Sequence, residues 1–167
     1  MMNERPFRDE YVLSGCRFVQ LQAEDAKVVS DKLATINPWL TLGYSAAQLE
    51  KYLSADDPSL HRYTVMVDEM IAGVVAVRYP WLRGSYLELI GLFPGQQGKG
   101  LGTAILQWME RETKPWAMNC WVLVSSFNEA AKRFYLRQGF REIANIEALV
   151  SARSSELLLR KVLRAPV

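Results

Sequence analysis

Two stretches of the chain carry residues whose types and spacing could do chemistry. The first is "PGQQGKGLGTAI", residues 94–105, in which Gly98, Gly100 and Gly102 alternate with Lys99 and Leu101 just before an apolar helical pattern. Glycine there is destabilising by about 0.5–1 kcal/mol per residue relative to alanine, which implies a need for bare backbone. A strand feeding a glycine-rich turn into a helix presents unpaired N–H groups and the positive end of the helix dipole. That arrangement suits phosphate. The dinucleotide fingerprint G-x-G-x-x-G fails, because Thr103 stands where its third glycine would be. The loop G-x-x-x-x-G-K-[ST] fails because Lys99 is followed by Gly100. The second stretch is "NEAAKRFYLRQGF", residues 128–140, where a helix-capping asparagine precedes the aromatic pair Phe134 and Tyr135. Glu88 is the single charged side chain in the apolar segment that leads into the glycines.

Regular elements must hold these residues, and hydrophobic periodicity predicts them. Residues 17–21 read as a short strand. Residues 25–36 read as a helix with Val29, Leu33 and Ile36 on one face, stopped by Asn37-Pro38. Ser45 and Gln48 form a capping-box pattern that opens a second helix, with Leu49, Tyr52 and Leu53 as its apolar face. Residues 63–67 and 71–79 predict a hairpin turning near Asp68-Glu69, and residues 86–93 a further strand. Leu101, Ala104, Ile105, Trp108 and Met109 define an amphipathic helix ended by Lys114-Pro115. A strand over 116–125, a helix from Asn128 to a closing Gly139, and strands over 140–150 and 156–163 complete the chain. Alternating helices and strands predict a single α/β domain with a mixed sheet over residues 16–167, preceded by a loose polar arm over 1–15.

A chain of 167 residues, half apolar and 23% charged, has the balance of an ordinary globular domain with one sizeable core. Its net charge of +2 gives no handle for nucleic acid or a membrane surface. The longest apolar run, "IAGVVAV", is too short to span a bilayer, and the charged start "MMNERPFRDEY" argues against a signal peptide. Cys16 and Cys120 read as free thiols in a reducing cytoplasm. With His61 as the sole histidine, histidine-dependent triads and multi-histidine metal sites have little to work with, so no metal is expected.

The spacing that does fit the glycine stretch is Q-x-x-G-x-G, read as Gln97, Gly100 and Gly102. It resembles the coenzyme A pyrophosphate loop of the GNAT family of N-acetyltransferases. The block at 128–140 resembles that family's N-x-x-A-x-x-F-Y-x-x-x-G-F helix, and "YLELIGLFP" resembles its fourth strand. The order of elements extends the resemblance over residues 16–164. The resemblance implies an α+β fold of the GNAT kind: a mixed, mostly antiparallel central sheet of about seven strands flanked by four helices. It also implies transfer of an acetyl group from acetyl-CoA, as co-substrate, to a primary amine by direct attack.

Carried over residue by residue, the resemblance assigns roles. Glu88 matches a position where many members carry their general base, acting directly or through a water. Others keep a glutamate on the following strand, where this chain has Leu123. An amine with an ordinary pKa of about 10.4 must lose a proton before it attacks. Tyr135 matches the usual general acid, placed to protonate the departing sulfur. Leu92 and Phe93 would offer main-chain groups to pantetheine, and Gln97, Gly98, Lys99, Gly100, Leu101, Gly102 and Thr103 would surround the pyrophosphate. Asn128 would bond pantetheine or shape the start of its helix. The acceptor, a small-molecule or peptide amine, would meet Trp39, Tyr44, Tyr79 and Trp81 on loops that carry no aspartate or glutamate. That composition suits one amine on an apolar body better than a polycation. No nucleic-acid or membrane partner is expected, and the chain reads as a monomer or homodimer. The alternative is a non-catalytic acyl-CoA-binding or sensor module, which would keep the glycines but need neither Glu88 nor Tyr135.

Overall fold

In the computed structural model, which describes residues 5–167, every strand joins one eight-stranded sheet. In chain order the elements are β1 (Glu10–Leu13), β2 (Cys16–Gln20), α1 (Ala23–Leu33), α2 (Trp39–Leu42), α3 (Ala46–Ser54), β3 (Leu60–Val67), β4 (Met70–Trp81), β5 (Gly84–Leu92), α4 (Leu101–Thr113), β6 (Asn119–Ser125), α5 (Glu129–Arg137), β7 (Arg141–Glu147) and β8 (Ser155–Val162). The sheet runs β1-β2-β3-β4-β5-β6-β8-β7. Every neighbouring pair is antiparallel except β5 with β6. This is the mixed, mostly antiparallel sheet expected, with one strand and one helix more. The added helix, α2, is a single turn closed by Gly43 in the left-handed region at φ 76°.

The added strand corrects the reading of residues 1–15 as a loose arm. Phe7 and Tyr11 are buried, and with Phe18 and Tyr63 they ring Trp108 at centroid distances of 5.5, 5.2, 4.8 and 5.4 Å. The Tyr11 hydroxyl donates to Glu112 Oε2 at 2.7 Å and accepts from the Arg8 amide at 2.7 Å. Burial, and then Glu112, push its pKa up to about 12. Two aromatics in a polar segment are enough to fix it once a partner surface exists. Residues 1–4 of that arm lie outside the described residues.

Elsewhere local sequence signals are realised. The α3 capping box forms in both directions, with Ser45 Oγ accepting from the Gln48 amide at 3.1 Å and Gln48 Oε1 from the Ser45 amide at 2.9 Å. Asp68 and Glu69 both take positive φ, 48° and 59°, which lets a two-residue turn close the β3–β4 hairpin with the right twist. Side chains alternate across the sheet. Val74, Ala76 and Leu89 pack under α1 and α3, while Val75, Val77, Leu87, Val122, Val124, Leu157 and Leu159 pack under α4 and α5. Full burial of each such aliphatic contributes about 1.5–3 kcal/mol.

Candidate functional site

The site begins where the sheet stops being continuous. Strand β5 pairs with β4 as far as Leu92, but with β6 only from Gly84↔Asn119 to Leu87↔Val122. Beyond that point the two parallel strands diverge. Ala76 faces Leu89 and Val77 faces Leu87, so Glu88 is the extra residue of a β-bulge at the mouth of the gap. A bulge re-aims its side chain and bends its strand. The gap opens into a cavity of about 470 Å³ lined by β5 from Tyr86 to Leu92, by the end of β6, and by α2, α3 and α5.

Main-chain groups along the gap differ from those expected. The Phe93 amide donates to Ala72 O at 2.9 Å, so it is engaged on the β4 side. Alternation along the strand then turns Leu92 and Ile90 toward the gap. The Leu92 carbonyl accepts from Gln97 Nε2 at 3.3 Å. Ile90, which sequence reasoning missed, could be found only from the register.

The three glycines serve different needs. Gly98 and Gly100 have φ of 74° and 79°, and a Cβ on either would meet nothing within 4 Å. Backbone conformation, not crowding, requires them. Gly102 is a packing residue, since a Cβ there would lie 3.1 Å from Cζ of Phe134 on α5. Gly100 caps α4 without any side-chain bond. Among the described residues nothing accepts from the amides of Leu101, Gly102 and Thr103. The start of this thirteen-residue helix is therefore an open set of donors at the positive end of a dipole. Lys99 is exposed and reaches Gln96 Oε1 at 3.5 Å, while Thr103 Oγ1 accepts from Gln138, just past the end of α5, at 3.2 Å.

Two carboxylates line the cavity in unlike settings. Arg78 holds Glu88 in a two-point pair, Nε to Oε2 at 2.5 Å and Nη2 to Oε1 at 3.1 Å. The same guanidinium donates to Asp57 at 2.8 Å and Ser59 Oγ at 2.6 Å. The hydrogen bond from Ser59, and then Arg78, lower the Asp57 pKa to about 2. Glu156, only 5% exposed, sits on β8 opposite Ser125 and receives its hydroxyl at 2.9 and 3.2 Å from the two carboxylate oxygens. Burial raises its pKa, and the Ser125 bond opposes that rise. Sequence reasoning missed Glu156. The signal available was strand alternation, because Leu157 and Leu159 claim the core face and leave Glu156 on the other.

Tyr135, 6% exposed, lines the cavity from α5 and packs against Phe134 and Phe140 at 5.2 and 5.7 Å. Burial raises its pKa, so its hydroxyl stays protonated at neutral pH and can donate. Asn128 also lines the cavity, and its Oδ1 accepts from the Ala131 amide at 3.2 Å, so it shapes the start of α5.

Of the aromatics expected around the acceptor, Trp39 and Tyr44 line the cavity. Tyr79 and Trp81 do not, and this corrects their placement. Leu82 and Arg83 make a tight turn with φ of 41° and 57° rather than an open loop. Trp81 is folded onto Tyr86 at 4.8 Å and Trp121 at 5.7 Å, and Tyr79 lies against Phe7 at 5.9 Å. Tyr52 and Tyr86 occupy the wall instead. The Tyr52 hydroxyl is buried with no hydrogen-bond partner among the described residues, and burial, followed by the charge of Glu88, raises its pKa.

Cys120 is buried, and desolvation pushes its thiol up to about 12, which makes it a poor nucleophile. Among the described residues no three His, Cys, Asp or Glu side chains cluster as a metal site, and no helix is long and apolar enough to cross a membrane.

Residues 23–140 match the model of the acetyltransferase (GNAT) family. No sequence match is found among curated proteins. Several solved acetyltransferases share the fold. A probable GNAT-family acetyltransferase from Chromobacterium violaceum superposes with a TM-score of 0.77 at 13% identity, covering 98% of this chain and 92% of that one. The ribosomal-protein-S18-alanine N-acetyltransferase from Escherichia coli gives 0.70 at 17% identity, covering 91% and 96%. A spermidine/spermine N-acetyltransferase from Vibrio cholerae gives 0.68 at 18% identity, covering 90% and 95%.

Proposed function

The chain belongs to the GNAT acetyltransferase family, and on that premise we propose that it moves the acetyl group of acetyl-CoA to a primary amine by direct attack. The observation that carries this reading is the gap between β5 and β6, followed along the chain by the uncapped start of α4. An unpaired strand edge offers main-chain groups to an extended amide-bearing arm. The free amides at residues 98–103, unobstructed by any Cβ at Gly98 and Gly100, offer donors to a pyrophosphate.

In this proposal Ile90 and Leu92 hold the pantetheine arm through the main chain, and Gln97 to Thr103 hold the pyrophosphate. Acetyl-CoA, when bound, supplies the activated acetyl group. Tyr135 gives a proton to the sulfur as it leaves, which its protonated, buried hydroxyl can do. Glu88 takes the proton of the attacking amine, directly or through a water, and Arg78 fixes the orientation of its carboxylate. The acceptor enters between Trp39, Tyr44, Tyr52 and Tyr86, a wall suited to one amine on an apolar or aromatic body. The related enzymes named for spermidine and for a ribosomal-protein alanine illustrate acceptors as unlike as a polyamine and a peptide terminus. The working unit is a single domain over 16–167 completed by β1, acting in the cytoplasm without metal, nucleic acid or membrane, as a monomer or homodimer.

Thiol release from acetyl-CoA over a panel of mono-amines, peptides and polyamines tests the proposal. At least one mono-amine or peptide is expected to give thiol and acetylated product in equal amounts. Binding of acetyl-CoA without turnover on any amine would instead favour the non-catalytic module.

A further inference from the structure

Glu156 is the one charged side chain of the cavity that the roles above leave unused, and its setting is unusual for a carboxylate. It is buried in the centre of three strands, between Ser125 on β6 and Ile146 on β7. One serine hydroxyl is its hydrogen-bond partner, and among the described residues no cation pairs with it. Two partly buried carboxylates elsewhere have one: Glu88 has Arg78, and Glu110 has Lys161 at 2.6 Å. A buried carboxylate without a countercharge is destabilising, and a leucine like its neighbours Leu157 and Leu158 would fill the position at less expense. The missing charge points outward, because Glu156, Ser125 and Leu123 share the face that opens on the cavity.

We propose that Glu156, oriented by Ser125, binds the ammonium group of the acceptor and so selects cationic amines over neutral molecules of the same shape. The proposal rests on the acetyltransferase reading and adds a specificity residue to it. Tyr86 lies within electrostatic reach of both cavity carboxylates, so a cation beside its ring is flanked by negative charge. The two carboxylates then divide the work. Glu88 is held in a two-point pair by Arg78, which it shares with Asp57, whereas Glu156 has no cation partner among the described residues and has its whole charge to offer. The aromatic wall of Trp39, Tyr44 and Tyr52 accepts the apolar body behind the ammonium.

The test uses phenethylamine as its cationic probe and 2-phenylethanol as its neutral counterpart, with binding followed by ligand-observed NMR on the full chain with coenzyme A present. Wild type is expected to prefer the cation by at least about tenfold. Glu156→Gln keeps the size and can still accept from Ser125, and should reduce the preference to about twofold or less. In steady state the same variant should raise the KM for phenethylamine by about tenfold while kcat stays within about threefold and acetyl-CoA affinity is unchanged. Glu156→Asp, which retains the charge, should restore part of the preference. If the glutamine variant does not fold, Ser125→Ala is the substitute, expected to weaken phenethylamine binding by about threefold through lost orientation. An unchanged preference in a folded variant, or none in wild type, overturns the proposal. Parallel titration with acetyl-CoA separates the two readings: wild type that fails to bind it refutes the acetyltransferase assignment, whereas binding without cation preference refutes only the role of Glu156.

Discussion

The two edges of β5 differ more than any other neighbouring parts of the molecule. Toward β4 the strand is paired along its length apart from two register shifts, at Glu88 and at Ser85, and the valines at 74, 75 and 77 of that partner are completely buried. Toward β6 it makes four residue pairs and then parts company. Each hydrogen bond forgone along that seam sacrifices about 0.5–1.5 kcal/mol. The closed edge, with two layers of helices over it, supplies the stability that lets the seam stay open. A rigid sheet on one side thus presents unsatisfied donors, acceptors and carboxylates on the other, where a ligand can use them.

The sharpest way to break this contrast is to damage one edge and measure both. On the open side, Tyr135→Phe removes a hydroxyl but no packing. It should lower turnover by about 10²–10⁴, equivalent to about 3–5 kcal/mol of transition-state stabilisation, with acetyl-CoA affinity unchanged. On the closed side, Trp108→Ala empties the centre of the aromatic cluster and should destabilise the fold by about 3–5 kcal/mol in urea titration. Turnover per folded molecule should then stay near wild type. Loss of catalysis from the second variant at a temperature where it is folded would show that the two edges are not separable.

What could be read in the sequence follows the same division. Features fixed within a few residues were legible: the capping box of Ser45 and Gln48, the need for glycine at 98 and 100, the Asn128 cap. Features that depend on register or on distant partners were not. The bulge at Glu88 shifts which main-chain groups face the gap, so Ile90 replaces Phe93. Phe7 and Tyr11 look like isolated aromatics in a polar arm until Trp108 is placed beside them. Glu156 looked like the first residue of an ordinary strand, because nothing local says that Ser125 lies opposite.

Smaller perturbations sharpen the contrast. Below about pH 4, the Asp57 carboxyl, whose folded pKa is lowered to about 2, binds protons more readily in the unfolded chain. Its contribution is present above the unfolded value, near 3.9, and is lost as pH falls toward 2. Asp57→Asn should therefore flatten that part of the decline in the urea midpoint between pH 4 and pH 2. It should also loosen Arg78, and through it Glu88, so the variant tests whether the orientation of Glu88 matters to turnover. Ser45→Ala is expected to have the least effect, about 1 kcal/mol of stability from the lost cap, with no change in affinity or rate.

The central claim is that the start of α4 is an anion site built to hold the pyrophosphate of acetyl-CoA. It is tested most directly by calorimetric titration of acetyl-CoA into wild type, Gly100→Asn and Gly100→Asp. Asparagine and aspartate both tolerate the left-handed conformation that Gly100 adopts at φ 79°, so the two variants differ mainly in charge. The account predicts measurable binding to wild type, modest weakening in the asparagine variant, and loss of binding in a folded aspartate variant. Equal affinity in the asparagine and aspartate variants would contradict it.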